Sequence, residues 1–224
     1  MINSIAIGID LGGTRIKGVA IDANGSVLHQ SYTPTNDGEG EVWKAAIAQT
    51  VNDLKQKLNA DKIAVGISAP GLPNKENTAI GFMPGRLEGL ENFIWSNYLQ
   101  SPSFVLNDGV AALVAEAKKK KKKNSTNAVM VTLGTGVGGA LLIDGKVFQG
   151  SFNKAGHIGH MVIDSNDDCD VTGMPGSLEE CIGNCSIEKR QFVHQKHGSN
   201  APYTLYSKNR FGIRIHRKKW LRPF

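Results

Sequence analysis

Cysteine is scarce in this chain. Three occur in 224 residues, Cys169, Cys181 and Cys185. That is too few for a disulfide framework, and a reducing cytoplasm is the expected setting. Long apolar runs are missing, so no membrane span is expected. The opening MINSIAIGID lacks a basic-then-apolar leader. Acidic residues are missing from Lys189 onward, where ten Lys and Arg stand with no Asp or Glu. What is there is ordinary: 40% apolar and 21% charged residues. Collagen, a coiled coil and a fully disordered chain are thereby excluded. The length allows one large domain or two small lobes around a sizeable core.

The formal net charge of +6 invites a nucleic-acid reading, but its distribution argues against one. Residues 1–188 hold 16 basic and 20 acidic groups, and six of those bases form the single run Lys118–Lys123. The body is acidic and gives no DNA-binding face, so no specific nucleic-acid partner is expected. The lysine run follows a helical stretch, where cations favour the C-terminal dipole. It reads as a solvated helix end and link.

Periodicity predicts strands over Ser4–Ile9, Ile16–Ile21 and Ser26–Tyr32. A helix is predicted over Glu41–Leu58, with Val42, Ala46, Ile47, Val51, Leu54 and Leu58 as its apolar stripe. Lys62–Ser68 is a buried strand, 82–89 a loop marked by Gly and Pro, and Phe104–Leu106 a short strand. Asp108 opens an Ala-rich helix to about Lys119. A polar stretch at 124–127 follows, and then the chain starts again: strand Ala128–Val131, turn Thr132–Gly139, strand Ala140–Ile143. Asp10-Leu-Gly overlies Thr132-Leu-Gly and Ile21-Asp22 overlies Ile143-Asp144, at a constant offset of 122 residues. A repeat on this scale predicts two related lobes, each opening with a hairpin around a glycine turn.

Several residues carry candidate chemistry. Phosphate oxygens need backbone N–H groups that approach closely, and glycine leaves the room. Gly12, Gly13 and Thr14 offer one such turn; Gly134, Thr135, Gly136, Gly138 and Gly139 offer another. Either alone reads better as a tight hairpin; two in a duplicated frame point to a nucleotide between lobes. Neither is a Walker loop, because no G-K-[ST] follows. Asp10, at a strand end, is placed to hold a phosphate-bound Mg²⁺ through water. Asp108 reads either as a helix cap or as a general base in a cleft. His157 and His160 read either as surface imidazoles or as a ligand-contacting pair.

In order and spacing, DLGGTRIKG, SAPG, LNDG, TLGTGVGG, GHIGH and GSLEE resemble the ROK family (repressor, open reading frame, kinase) of bacterial sugar kinases and sugar-responsive repressors. The resemblance covers about residues 4–188. It implies an α/β, actin-like (ribonuclease-H-like) two-lobed fold with ATP and a sugar in the cleft. It implies that Asp10, Gly12, Gly13 and Thr14 form the first phosphate loop, and Gly134, Thr135 and Gly136 the second. It makes Asp108 the catalytic base, with Asn107, His157, His160 and Glu179 around the sugar. ATP and Mg²⁺ are the implied cofactors; polyphosphate is the alternative donor, and homodimers occur among relatives.

The sequence departs from the family in three places. The glutamate of the family's E-x-G-H motif is His157. The three zinc cysteines of its C-x-C-G-x-x-G-C-x-E motif are Asp170, Thr172 and Ser177, with Cys169 one place out of register, so no structural zinc is expected. The family's further segment is not recognised after Arg190. The expected organisation is thus an N-terminal lobe over 1–123, the start of a second, incomplete lobe over 124–188, and a disordered basic tail over 189–224. Family repressors place a helix-turn-helix before the first strand, and the first strand here starts at about Ser4. A sugar kinase, weakened or inactive in this form, is therefore the preferred reading over a sugar-sensing regulator or a non-catalytic remnant.

Overall fold

The computed structural model describes residues 5–83, 85–119, 126–133, 136–170 and 172–183. The basic segment at 189–224, the lysines after Lys119, and Gly134 and Thr135 lie outside the described residues. No described helix is long and apolar enough to cross a membrane.

The chain opens with an antiparallel meander: β1 (Ala6–Leu11), β2 (Arg15–Ile21) and β3 (Val27–Pro34). Helix α1 (Val42–Leu58) then crosses to β4 (Ala64–Ala69), which runs parallel to β1. A short hairpin, β5 (Leu72–Pro73) and β6 (Ile80–Phe82), and helix α2 (Trp95–Leu99) lead to β7 (Ser103–Asn107), parallel to β4. The resulting five-stranded sheet has the order β3-β2-β1-β4-β7. Its strands alternate as period-2 patterning requires: Ile7, Ile9 and Leu11 are buried, as are Val65, Ile67 and Ala69.

Helix α1 seals this sheet with most of the predicted stripe: Ile47, Val51 and Leu54 are buried and Ala46 and Leu58 pack against the core, but the first turn is rotated. Trp43, Ile47, Thr50, Val51 and Leu54 are buried, whereas Val42 is about half exposed. The bulk of Trp43 sets the helix rotation: its ring packs 5.8 Å from that of Trp95 and is wholly buried. The same rotation buries Lys44, whose ammonium pairs with Glu41 at 2.8 Å and lies 4.1 Å from the Phe93 ring centroid.

Helix α3 (Asp108–Lys119) follows β7 with no loop between them. It packs on a second sheet of order β10-β9-β8, built from β8 (Ala128–Leu133), β9 (Val137–Ile143) and β10 (Lys146–Phe148). Val110, Leu113, Ala140 and Leu142 form the core between them. A single 3-10 turn at Ile158–His160 and the short helix α4 (Leu178–Ile182) complete the described residues.

The repeated hairpin is present, with a shorter connection in the second copy. Leu11 faces Ile16, whereas Leu133 faces Val137, so the second turn is one residue tighter. The turn expected over Thr132–Gly139 is correspondingly too wide, because Thr132, Leu133, Gly138 and Gly139 are paired strand residues. Gly139 is a site of close approach rather than a turn: a Cβ there would strike the carbonyls of Gly156 and Met130. The absent side chain lets the segment after β10 pass directly over β9.

Candidate functional site

The parallel strands β1, β4 and β7 end side by side. Asp10 is in register with Ser68, and Ala69 with Asn107. Ligands of open α/β sheets bind beyond such carboxyl ends. The Asp10 carboxylate is about half exposed; it accepts from Lys17 Nζ at 3.1 Å and from Ser68 Oγ at 3.3 Å. The first glycine turn follows at once. Gly12 N donates to Arg15 O at 3.1 Å, and buried Thr35 clamps the turn from behind through Oγ1 to Gly12 O at 2.6 Å and N to Thr14 O at 3.2 Å.

Arg86, which the sequence reading passed over, covers this turn. Its guanidinium occupies the space a side chain at Gly13 would need. Asp37 holds it there, accepting from Arg86 Nε at 3.1 Å and Nη2 at 3.0 Å, and from Leu87 N at 3.0 Å. Arg86 sits in a loop of glycines without periodicity, so only the fold brings it to Gly13. The same loop lines an open cleft of about 640 Å³ with Asp37, Phe82 and Glu91.

Asn107 settles which residue caps α3. Its Oδ1 accepts from Gly109 N at 2.9 Å and Val110 N at 3.4 Å, and its Nδ2 donates to Gly71 O at 3.0 Å. Asp108 is exposed at the first helical position, with Oδ1 accepting from Gly109 N at 2.8 Å. The capping work falls to the amide, and the carboxylate faces out at the head of the helix.

His157 lies within electrostatic reach of this carboxylate. Gly109 at the head of α3 abuts Gly139, and Gly139 abuts Gly156 just before His157. Burial, together with the neighbouring charges of His160 and Lys154, holds the His157 imidazole below its ordinary pKa; the Asp108 carboxylate acts in the opposite sense. His160 Nδ1 lies 2.9 Å from Asp170 Oδ2. Asp108, His157 and His160 therefore share one electrostatic neighbourhood.

Glu179 lies in the first turn of α4, where one carboxylate oxygen accepts from Val137 N at 2.9 Å and fills the space beside Gly136. It is thus set against the second glycine turn. Of the residues predicted for that turn, Gly136 is described, whereas Gly134 and Thr135 are not. Among the described residues no group of three or more His, Cys, Asp or Glu is arranged to hold a metal.

Comparison with known proteins places the chain in a family. A family model described as ROK family matches residues 6–206, running on into the basic segment. The chain is 34% identical over 162 residues to a glucokinase of Streptomyces coelicolor, covering 70% of this chain and 49% of that protein. It thus spans about half the length of that relative. Among solved structures it is similar to a ROK family glucokinase from Streptomyces griseus in complex with glucose and AMPPNP, at TM-score 0.70 and 25% identity over 87% of this chain and 62% of that one. A ROK hexokinase from Thermus thermophilus superposes at TM-score 0.71 and 24% identity, over 86% of this chain and 64% of that one. The fold is accordingly α/β and actin-like.

Proposed function

This chain belongs to the ROK family, and from that membership we propose that it transfers the terminal phosphoryl group of ATP to a hydroxyl of a hexose or N-acyl-hexosamine. The observation that carries the proposal is the meeting of three strand ends, a glycine turn under the Arg86 guanidinium and an outward-facing carboxylate whose charge acts on the His157 imidazole. Glucokinases and an N-acetylmannosamine kinase among the relatives support the substrate class. The AMPPNP-bound neighbour supports the donor.

The residues at the first turn suit a nucleotide phosphate. The guanidinium of Arg86 lies over Gly13, and Lys17 pairs with Asp10 at the strand end before the turn, so two cations stand there. Asp10 is exposed enough to hold a hydrated Mg²⁺. Gly12, Gly13 and Thr14 hold the donor's phosphates on one side, and Gly134, Thr135 and Gly136 on the other. Bound Mg²⁺·ATP supplies the activated phosphoryl group and neutralises part of its charge.

Asp108 accepts the proton of the attacking hydroxyl. Because Asn107 caps the helix, Asp108 keeps an oxygen free for that task. The Asn107 amide, His157 and His160 orient the sugar, and Glu179 ties the second turn to the same wall. His157, where the motif has a carboxylate, presents a donor as well as an acceptor, which shifts the hydroxyl pattern the site prefers. Most of the rate then comes from alignment and charge complementarity.

The test is sugar-dependent ADP release by the full chain, with glucose and N-acetylmannosamine as substrates. Asp108→Asn lowers turnover by about a hundredfold to ten-thousandfold while leaving sugar binding in place. Sugar binding with no ADP release by the wild-type chain overturns the kinase reading. Release unchanged in Asp108→Asn overturns the assignment of the base.

A further inference from the structure

The segment 168–177 carries a polar knot that the reaction as described does not use. Its centre is Asp170, whose side chain is 1% exposed. Oδ1 accepts from Thr172 N at 2.8 Å, Thr172 Oγ1 at 2.7 Å and Met174 N at 3.1 Å. Ser177 also hydrogen-bonds this carboxylate, and Ser177 Oγ caps α4 by accepting from Glu180 N at 3.2 Å. Oδ2 faces His160 Nδ1 at 2.9 Å. Gly176 makes the knot possible: it adopts φ +49°, and a side chain there would collide with Asp164 O.

Asp170, Thr172 and Ser177 are the positions at which the family resemblance implies zinc-binding cysteines. They do not fit a metal. Both hydroxyls donate to the carboxylate, so they act as its partners rather than as co-ligands. Cys169, the nearest thiol, is exposed. The loop is closed by a carboxylate in the middle of converging donors.

We propose that Asp170 is a positioning residue that fixes the tautomer and orientation of His160, so that Nε2 accepts a hydrogen bond from a sugar hydroxyl. This rests on the sugar-kinase reading above. The argument is one of proton inventory. Burial alone pushes the Asp170 carboxyl up, but the hydrogen bonds from Thr172, His160 and Ser177 outweigh it and hold it well below the ordinary carboxylate range. An ionised carboxylate only accepts, so the His160 nitrogen facing it must donate. The neutral ring then carries its proton on Nδ1 and a lone pair on Nε2. Carboxylates perform the same task behind metal-bound histidines, where they set ring orientation and raise basicity. Here the knot does so for an organic ligand, and joins the fold of the 168–177 loop to sugar affinity.

Nitrogen-15 NMR of the imidazoles in the full chain at about pH 8, above the ordinary imidazole range, reads the tautomer directly. His160 is assigned by the resonances lost in His160→Gln. The expected result is a protonated Nδ1 and a bare Nε2 in the wild-type chain. A proton on Nε2, or stoichiometric zinc in the purified protein, overturns the proposal. In Asp170→Asn, Thr172 N and Met174 N keep the amide oxygen, and Nδ2–H turns toward His160. The tautomer inverts, and Nε2 becomes a donor. Sugar KM then rises about tenfold, as loss of one good hydrogen bond predicts, while kcat changes less than about twofold. An inverted tautomer with unchanged KM also overturns it. Absence of any sugar binding by the wild-type chain sinks the sugar-kinase reading instead, and the NMR result distinguishes the two failures without a folded variant.

Discussion

The five-stranded and three-stranded sheets both open with an apolar hairpin around a glycine turn, yet they are covered differently. On β1 the residues Ile7, Ile9 and Leu11 are sealed by α1 and the Trp43–Trp95 pair. On β8 the outward row Val129, Val131 and Leu133 is 66%, 47% and 56% exposed, with no cover among the described residues. The other face of that sheet is packed by α3, and on the outward face the segment around Gly156–Gly159 covers β9 at Val137 and Gly139. Alternation along a strand says which side chains share a face. Whether that face is buried depends on elements far away in the chain. The candidate site draws on both regions: Asp10 and Asn107 stand on the sealed sheet, while Gly136, His157 and Glu179 belong with the half-covered one.

Four perturbations test that contrast. The largest effect is expected for Trp43→Ala, which empties the sealed core and lowers stability by about 4 kcal/mol in chemical denaturation. Leu142→Ala in the smaller core costs about 2 kcal/mol, because that side chain already borders solvent. If Leu142→Ala costs as much as Trp43→Ala, the two cores are equally sealed and the contrast fails. Acid acts next, and selectively. The Asp170 carboxyl is held below its ordinary value, so its contribution is complete above about pH 4, where the unfolded group is also ionised. It is lost as pH falls below that toward the folded value. Amide-exchange protection at Thr172 and Met174 is expected to fall before the fluorescence of Trp43 and Trp95 changes in a Trp220→Phe background; the reverse order breaks the contrast. The smallest effect is Val131→Thr, which shifts stability by less than about 0.5 kcal/mol and raises solubility. A loss of 2 kcal/mol or more would mean that the β8 row is covered in solution.

Much of this was legible from residue order, because the signals were local. The hairpin around Gly12–Thr14, the Asn107-Asp108 junction and the start of α3 each depend on a few neighbouring residues. Contacts across long separations were not legible. Arg86 reaches Gly13 because Asp37 anchors its guanidinium, and Glu179 reaches Val137 across 42 positions of chain. The α1 stripe departs from expectation only at its first turn, where Trp43 and buried Lys44 take the place a count of aliphatic residues gives to Val42. The glycines of β9 looked like turn because their real cause, the backbone of Gly156 lying against them, is invisible in sequence.

The double duty of Asn107 has a consequence for how the protein ages. One amide caps α3 with its oxygen and grips the Gly71 carbonyl with its nitrogen. Deamidation exchanges only that nitrogen for oxygen. The helix would keep its cap, but a carboxylate would then point at a carbonyl where a donor had been. The loop after β4 would be repelled, and a second negative charge would stand next to Asp108. Hydrolysis of a single amide bond during storage would thus spoil the cleft while leaving the sheet behind it intact.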